Sequence, residues 1–215
     1  MTTTERYESL LEVIKERRVN GNIKSDPIPF EDVERAIEAG RWAPSGNNAQ
    51  PWDFVVLRTP ERVKGLTDIL SAPPTRGQQP HPITYAPVAI VVVGDTRLKE
   101  SYSQSVDRDE VFHASLAASI MNFQLAVTAL GLASSWGTIS HAMVGPVKEY
   151  LGLPEPYEIV ALIRMGHPAE LRDPKLRRPL EDIMHVDGFD QSRARSGEDA
   201  IKQYIEQYGK GWGRV

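Results

Sequence analysis

The chain is expected to fold as one α+β domain with a central sheet flanked by helices. Three observations lead there. Helical and strand periods are interleaved along the chain, without internal repeat or evident boundary. Residues 88–93 (Val-Ala-Ile-Val-Val-Val) run apolar until Gly94-Asp95, as a strand covered on both faces does. Residues 109–130 are apolar on nearly every side, which suits only a helix inside a core or an interface.

The elements follow in order. Tyr7, Leu10, Leu11 and Ile14 fall at i, i+3, i+4, i+7, predicting an amphipathic helix from residue 4 to about residue 18. Asn20-Gly21-Asn22 has turn chemistry. Pro29 opens a helix over residues 30–41, with Glu31 and Asp32 at its positive end and Val33, Ala36 and Ile37 on one face. Residues 53–57 read as a strand and 60–70 as a helix. Residues 71–87 carry five prolines and no apolar period, which predicts a long surface loop of the lid or binding type. The helix over 109–130 would be about 33 Å long. A short polar segment surrounds Trp136, a short helix spans 144–151, and 157–165 alternates as a strand before Gly166-His167-Pro168. From Phe189 onward a helix over 198–208 and several aromatics have little core of their own and need something to pack on.

Composition narrows the function. A formal charge of −4 with both signs interspersed gives no reason to expect nucleic acid as a partner. With no cysteine there is no disulfide, thiolate nucleophile or cysteine-bound metal. The first residues lack the apolar core of a signal peptide, and the apolar stretches at 88–93 and 116–132 read as too short or too polar to span a bilayer. A cytoplasmic protein without membrane contact is the expectation. There is no G-x-G-x-x-G after a strand and no G-x-x-x-x-G-K-[ST]. The five histidines never take H-x-x-x-H spacing, so no metal site is expected, and no G-x-S-x-G elbow occurs.

The informative segment is Ala43-Pro44-Ser45-Gly46-Asn47-Asn48-Ala49-Gln50-Pro51-Trp52. On residue chemistry alone it is either an ordinary helix-to-strand loop with an Asx turn or a set of backbone N–H groups and amides suited to an aromatic heterocycle. The decapeptide resembles the A-P-S-x-x-N-x-Q-P-W signature of the nitroreductase family of FMN enzymes at every defined position. Four further segments resemble that family in the same order: Glu16-Arg17-Arg18 its phosphate-binding R-R-S-x-R; Gly131-Leu132-Ala133-Ser134-Ser135-Trp136-Gly137 its G-L-G-S-x-W-x; Leu151-Gly152-Leu153-Pro154 through Gly166-His167-Pro168 its L-G-L-P, strand and G-x-P; and Arg177-Arg178-Pro179-Leu180-Glu181-Asp182-Ile183 its closing basic segment.

The resemblance implies a dimeric α+β fold with FMN held non-covalently at the subunit interface. Residues 1–188 would be the nitroreductase-like FMN-binding domain and residues 189–215 a C-terminal arm packing on the partner subunit. Arg17, Arg18, Arg177 and Arg178 would hold the flavin phosphate, a job for guanidinium forks, with Arg18 and Arg178 the two more readily read as solvated charges. Pro44, Ser45, Gly46 and Asn48 would come from the other subunit to line the flavin, with Gln50 bracing their loop. Trp136, Gly137 and Thr138 would present backbone groups at the ring edge, Trp136 being equally readable as a core aromatic. Where the family usually has Ser and then Arg or Lys after the basic pair, this chain has Val19, Asn20 and Gly21. Two expected flavin ligands are therefore missing, the second at the pyrimidine edge, and Asn20 or the Gly21 N–H is the substitute left.

The expected activity passes electrons from NADH or NADPH through FMN to a nitroaromatic, quinone or similar small conjugated acceptor, with no catalytic side chain, since the flavin carries the chemistry. Reductive dehalogenation, alkene reduction, flavin breakdown and flavin binding without turnover are the alternatives. A homodimer is expected for two further reasons: the long apolar helix exceeds what one domain covers, and the tail aromatics need a surface.

Overall fold

The structure is a computed structural model and describes residues 2–71, 86–171, 173 and 176–208. Two compact units divide at residues 172 and 173, ahead of the division at 188 and 189 expected from sequence. The predicted lid loop over 71–87 lies almost wholly outside the described residues.

In the first unit, α1 (Thr3–Glu16) starts at a capping box: Thr2 Oγ1 accepts the Glu5 N–H, and the Glu5 carboxylate accepts the Thr2 N–H at 2.6 Å. It ends two residues before the predicted limit, because Arg17 leaves the helical region as its C-cap. Arg17 and Arg18 therefore sit on the chain that exits the helix. α2 (Phe30–Arg41), β1 (Trp52–Leu57), α3 (Pro60–Ser71), β2 (Val88–Asp95), α4 (Arg108–Ala129), β3 (Ala133–Ser134), α5 (His141–Leu151) and β4 (Tyr157–Gly166) follow. Periodicity predicted all of these but β3, whose two residues are too few to show a period.

The sheet order is β1-β2-β4-β3 and every pairing is antiparallel. Alternation sorts the side chains of β2 and β4 onto two faces. Val88, Ile90, Val92, Ala161, Ile163 and Met165 join Val33 and Ala36 of α2 and Phe112, Leu116, Ile120, Phe123 and Val127 of α4. Ala89, Val91, Val93 and Leu162 meet Val63 and Leu66 of α3 and Val147 of α5 on the other side. Helices on both faces explain why β2 reads as a continuous apolar run within an antiparallel sheet.

One sequence expectation needs correction. By length and apolar composition α4 is in fact sufficient to cross a membrane. Its fully buried Phe112, Leu116, Ile120, Phe123 and Val127 make it the core helix of this fold instead. One face is left over: Ala114 and Met121 are exposed and Ala117, Ala118 and Leu125 only partly covered. On α1, Tyr7, Leu10 and Ile14 are also exposed, and the helix buries no residue.

The second unit holds α6 (Gly197–Tyr208) after two single 3-10 turns, Leu180–Asp182 and Gln191–Arg193. It exposes Leu180, Ile183, Met184, Val186, Phe189, Ile201 and Tyr204.

Close packing where β2 meets α4 predicts a stability effect. A Cβ on Gly94 would run into Phe112 Cζ and lie 2.8 Å from Leu116 Cδ1. Gly94→Ala should lower stability by about 1–3 kcal/mol through overpacking, read as a lower thermal midpoint. An unchanged midpoint would contradict this packing.

Candidate active site

Two segments named from sequence come together at the end of the sheet. Val19 bridges Ser134 in parallel, and the Asn20 N–H donates to the Ser134 carbonyl at 2.9 Å. Asn20 is buried and its carboxamide is spent on backbone: Nδ2 donates to the Glu170 carbonyl at 2.9 Å and Oδ1 accepts the Asn22 N–H at 2.9 Å. The side chain expected to replace a flavin ligand is thus a clip that sets the 20–22 turn, leaving the neighbouring Gly21 backbone as the other half of that expectation. Arg18 is partly buried and lines a cavity of about 300 Å³ with Asn20, Thr128, Gly131 and Ala133. Its guanidinium also donates to the Lys15 and Arg17 carbonyls.

Beside this junction Gly137 exchanges both backbone hydrogen bonds with Leu162, at 2.9 Å each. Its polar backbone groups are thereby fixed in the sheet, which holds Trp136 and Thr138 on either side. Trp136 is partly buried against the larger core, and Thr138 is exposed. Gln124, fully buried on α4, donates weakly to Ser134 Oγ at 3.4 Å, while its Oε1 has no partner among the described residues.

The 44–50 part of the decapeptide is built differently. Asn47, Asn48 and Gln50 all have φ near +50°, a left-handed conformation that costs non-glycine residues energy and is concentrated at functional loops. Side-chain hydrogen bonds hold it: Ser45 Oγ accepts the Gln50 N–H at 2.9 Å, Gln50 Nε2 donates to the Asn48 carbonyl at 3.3 Å, and Asn47 Nδ2 donates to the Ser101 carbonyl at 2.7 Å. The first two of these bonds tie Gln50 to Ser45 and Asn48 within the loop. Gly46 donates its N–H to Ser115 Oγ at 3.2 Å, and a Cβ there would collide with Val111 and approach Tyr102 Cε1 to 2.9 Å. Pro44 and Asn48 are exposed.

The two clusters sit at different stations along α4. Gly46 lies against Val111 and Ser115, whereas Asn20 and Ser134 lie beside Thr128 and Gln124. The nine to seventeen residues between these contacts span roughly 13–25 Å of helix axis. One chain therefore does not bring its decapeptide loop onto its own 19–21 segment. Arg177 and Arg178 belong to the second unit, where both are exposed; Arg177 donates to the Leu176 carbonyl at 3.1 Å and Arg178 to that of Asp182 at 2.6 Å.

One residue that sequence reasoning missed stands at the junction. Arg164 of β4 is partly buried, and its backbone N–H and Nε both donate to Ser135 Oγ, at 3.2 and 3.3 Å. Burial draws its guanidinium below the ordinary arginine value. The only sequence signal was a cation inside an apolar strand. Among the described residues no cluster of His, Asp and Glu could hold a metal ion.

Comparison with known proteins identifies the family. The sequence profile described as the nitroreductase family matches residues 14–167. A protein of Archaeoglobus fulgidus provisionally named NADH dehydrogenase/NAD(P)H nitroreductase is 30% identical over 169 residues, 77% of this chain and 89% of that one. Iodotyrosine deiodinase of Nematostella vectensis is 28% identical over 209 residues, 85% of this chain and 75% of that one. Among solved structures, a provisionally described nitroreductase of Desulfovibrio desulfuricans in complex with FMN aligns with a TM-score of 0.64 at 29% identity, over 84% of this chain and 98% of that one.

The clip made by Asn20 carries a direct expectation. Asn20→Ala leaves the Glu170 carbonyl and Asn22 N–H without their partners and should destabilise the fold by about 1–3 kcal/mol. Urea denaturation of the variant beside the parent measures it, and equal midpoints would refute the structural role.

Proposed function

Because the chain belongs to the nitroreductase family, we propose that it is an FMN-dependent oxidoreductase that takes electrons from NADH or NADPH and delivers them to a small conjugated electrophile such as a nitroaromatic or quinone. The observation that carries this reading is the junction where Val19 and Asn20 lock onto Ser134 beside the Leu162-anchored Gly137. There the two segments of one chain that resemble the family's flavin contacts lie side by side. The residues fit the cofactor: Arg18 is partly buried at a cavity that Asn20 also lines, and the strained Ser45–Gln50 loop presents polar groups at an exposed surface.

FMN, when bound, supplies the centre that accepts and passes on hydride. The chain's own residues bind and orient. Arg17 and Arg18 would hold the phosphate. The Gly137–Leu162 pairing would fix the backbone beside the flavin, and water would supply protons. The Pro44, Ser45, Gly46 and Asn48 side of the site comes from a second copy of the chain, because the chain's own loop lies some 13–25 Å along α4 from its 19–21 segment. The uncovered face of α4, the exposed stripe of α1 and the exposed apolar side chains of the second unit are the surfaces that copy would cover, in an isologous dimer burying roughly 2,000–5,000 Å². The cytoplasm, where NAD(P)H is at hand and a chain without cysteine has no disulfide to maintain, is its compartment.

A second reading, reductive dehalogenation, is favoured by the likeness to iodotyrosine deiodinase over 85% of the chain. Iodide release from an iodophenol under reducing conditions would select it.

Purified protein should carry FMN at about one per chain, released by heat and identified by chromatography, and should bleach with NAD(P)H and recolour with an acceptor. FAD, or no flavin after FMN is added, would overturn the proposal. Arg17→Ala should weaken FMN binding by roughly ten- to a hundredfold, the loss of one charge-assisted contact, with an unchanged circular dichroism spectrum. Equal affinities in apoprotein titrations would reduce Arg17 to a surface charge.

A further inference from the structure

Gly21 stands where the family pattern calls for a cation, and the structure shows what fills the space. A Cβ built on Gly21 would lie 3.1 Å from Arg164 Nη2. Gly21 has no left-handed backbone that demands glycine, so the feature peculiar to this position is the guanidinium above it. Arg164 reaches the spot from β4, 143 residues later in sequence. Ser135 Oγ, accepting from both its N–H and its Nε, pins the near end of the side chain. The Ser135 N–H in turn donates to the Arg164 carbonyl at 3.0 Å. The arginine head is thus fixed between Gly21 on one side and the start of the Trp136–Gly137 segment on the other.

We infer that Arg164 is the flavin-ring cation of this protein, its guanidinium taking the place of the side chain absent at Gly21 and donating to the pyrimidine edge of FMN. This rests on the reading of the site as an FMN site. An arginine offers paired donors in a plane, matched to the adjacent carbonyl and ring nitrogen of that edge. Its partial burial strengthens the interaction with the negative charge that two-electron reduction adds to the flavin, since the local dielectric is lower than in water. Arg164 is therefore a cofactor-binding residue that favours the reduced state. The pattern is a swap: the cation moves from the 19–21 segment to the adjoining strand, and glycine makes room for it.

The test uses apoprotein titrated with FMN and the reduction potential of the bound flavin, measured for the parent, Arg164→Met, Gly21→Lys and the double variant. Arg164→Met should weaken FMN binding by roughly ten- to a hundredfold and make the potential more negative. Adding Gly21→Lys to it restores a cation at the same edge and should recover most of both losses. Gly21→Lys alone should leave affinity and potential at or below the parent's, because Arg164 already occupies the space 3.1 Å from the new Cβ. That arm does not depend on Arg164→Met folding. Parental affinity and potential in Arg164→Met, or tighter binding with a raised potential in Gly21→Lys alone, would overturn the inference. A parent that binds no FMN would overturn the flavin reading together with this one, whereas a flavin-loaded parent with indifferent variants would overturn this one alone.

Discussion

A helix that is apolar on nearly every side has to be enclosed, and one chain of this size encloses only part of α4. The sheet and α2 cover Phe112, Leu116, Ile120, Phe123 and Val127 completely. Ala114, Ala117, Ala118, Met121 and Leu125 remain open or half open. Leaving such a stripe in water forfeits about 25 cal/mol for each Å² of apolar area that burial would remove from solvent. The same helix fixes where the chemistry-bearing loops go. The Gly46 loop docks near its start on Val111 and Ser115, and the Val19–Ser134 junction near its end at Gln124. The separation between the loops and the uncovered stripe are two consequences of one element. The proposed two-fold pairing of α4 would answer both, by covering the stripe and carrying each loop to the other chain's junction.

The local architecture around the junction shows how the chain fixes its own backbone with few groups. Asn20 spends its whole carboxamide on the 20–22 turn and on Glu170. Gly137 spends both backbone groups on Leu162. Pre-paired groups of this kind lose no further freedom when a ligand arrives, which is how a scaffold contributes to affinity without touching the ligand. The 47–50 loop does the reverse. Its three left-handed residues store strain, held by Ser45, Gln50 and Asn47 hydrogen bonds, as expected of a loop shaped for a partner rather than for its own stability.

Much of this was legible in the sequence where local rules decide. The 30–41 helix follows Pro29 and ends at Arg41, and the 88–93 run is a strand buried at every one of those residues. The end of α1 was overrun because the apolar period stops at Ile14 and does not mark where the helix ends; the chain leaves it at Arg17 and reaches the Val19–Ser134 bridge. β3 escaped because its pairing with β4, at Ala133–Gly166 and Ser134–Met165, is entirely non-local. Asn20 was one of two substitutes for the missing flavin ligand, beside the Gly21 N–H, and the packing gives its carboxamide other partners. Arg164 was invisible for the opposite reason. Its chemistry is apparent in the strand, but its place over Gly21 exists only after the sheet forms.

The central claim is that each site is assembled from two chains, and mixed dimers test it most directly. One chain carries Arg17→Ala and the other Ser45→Ala with Asn48→Ala; coexpressed under separate tags, they yield purified heterodimers whose FMN content and NAD(P)H-dependent acceptor reduction are measured. If the 45–48 loop serves the partner's flavin, one site collects both lesions and the other has none, so heterodimers should regain about half of the parental flavin and activity. Heterodimers no better than either altered homodimer, or a parent that behaves as a monomer by light scattering, would contradict the account.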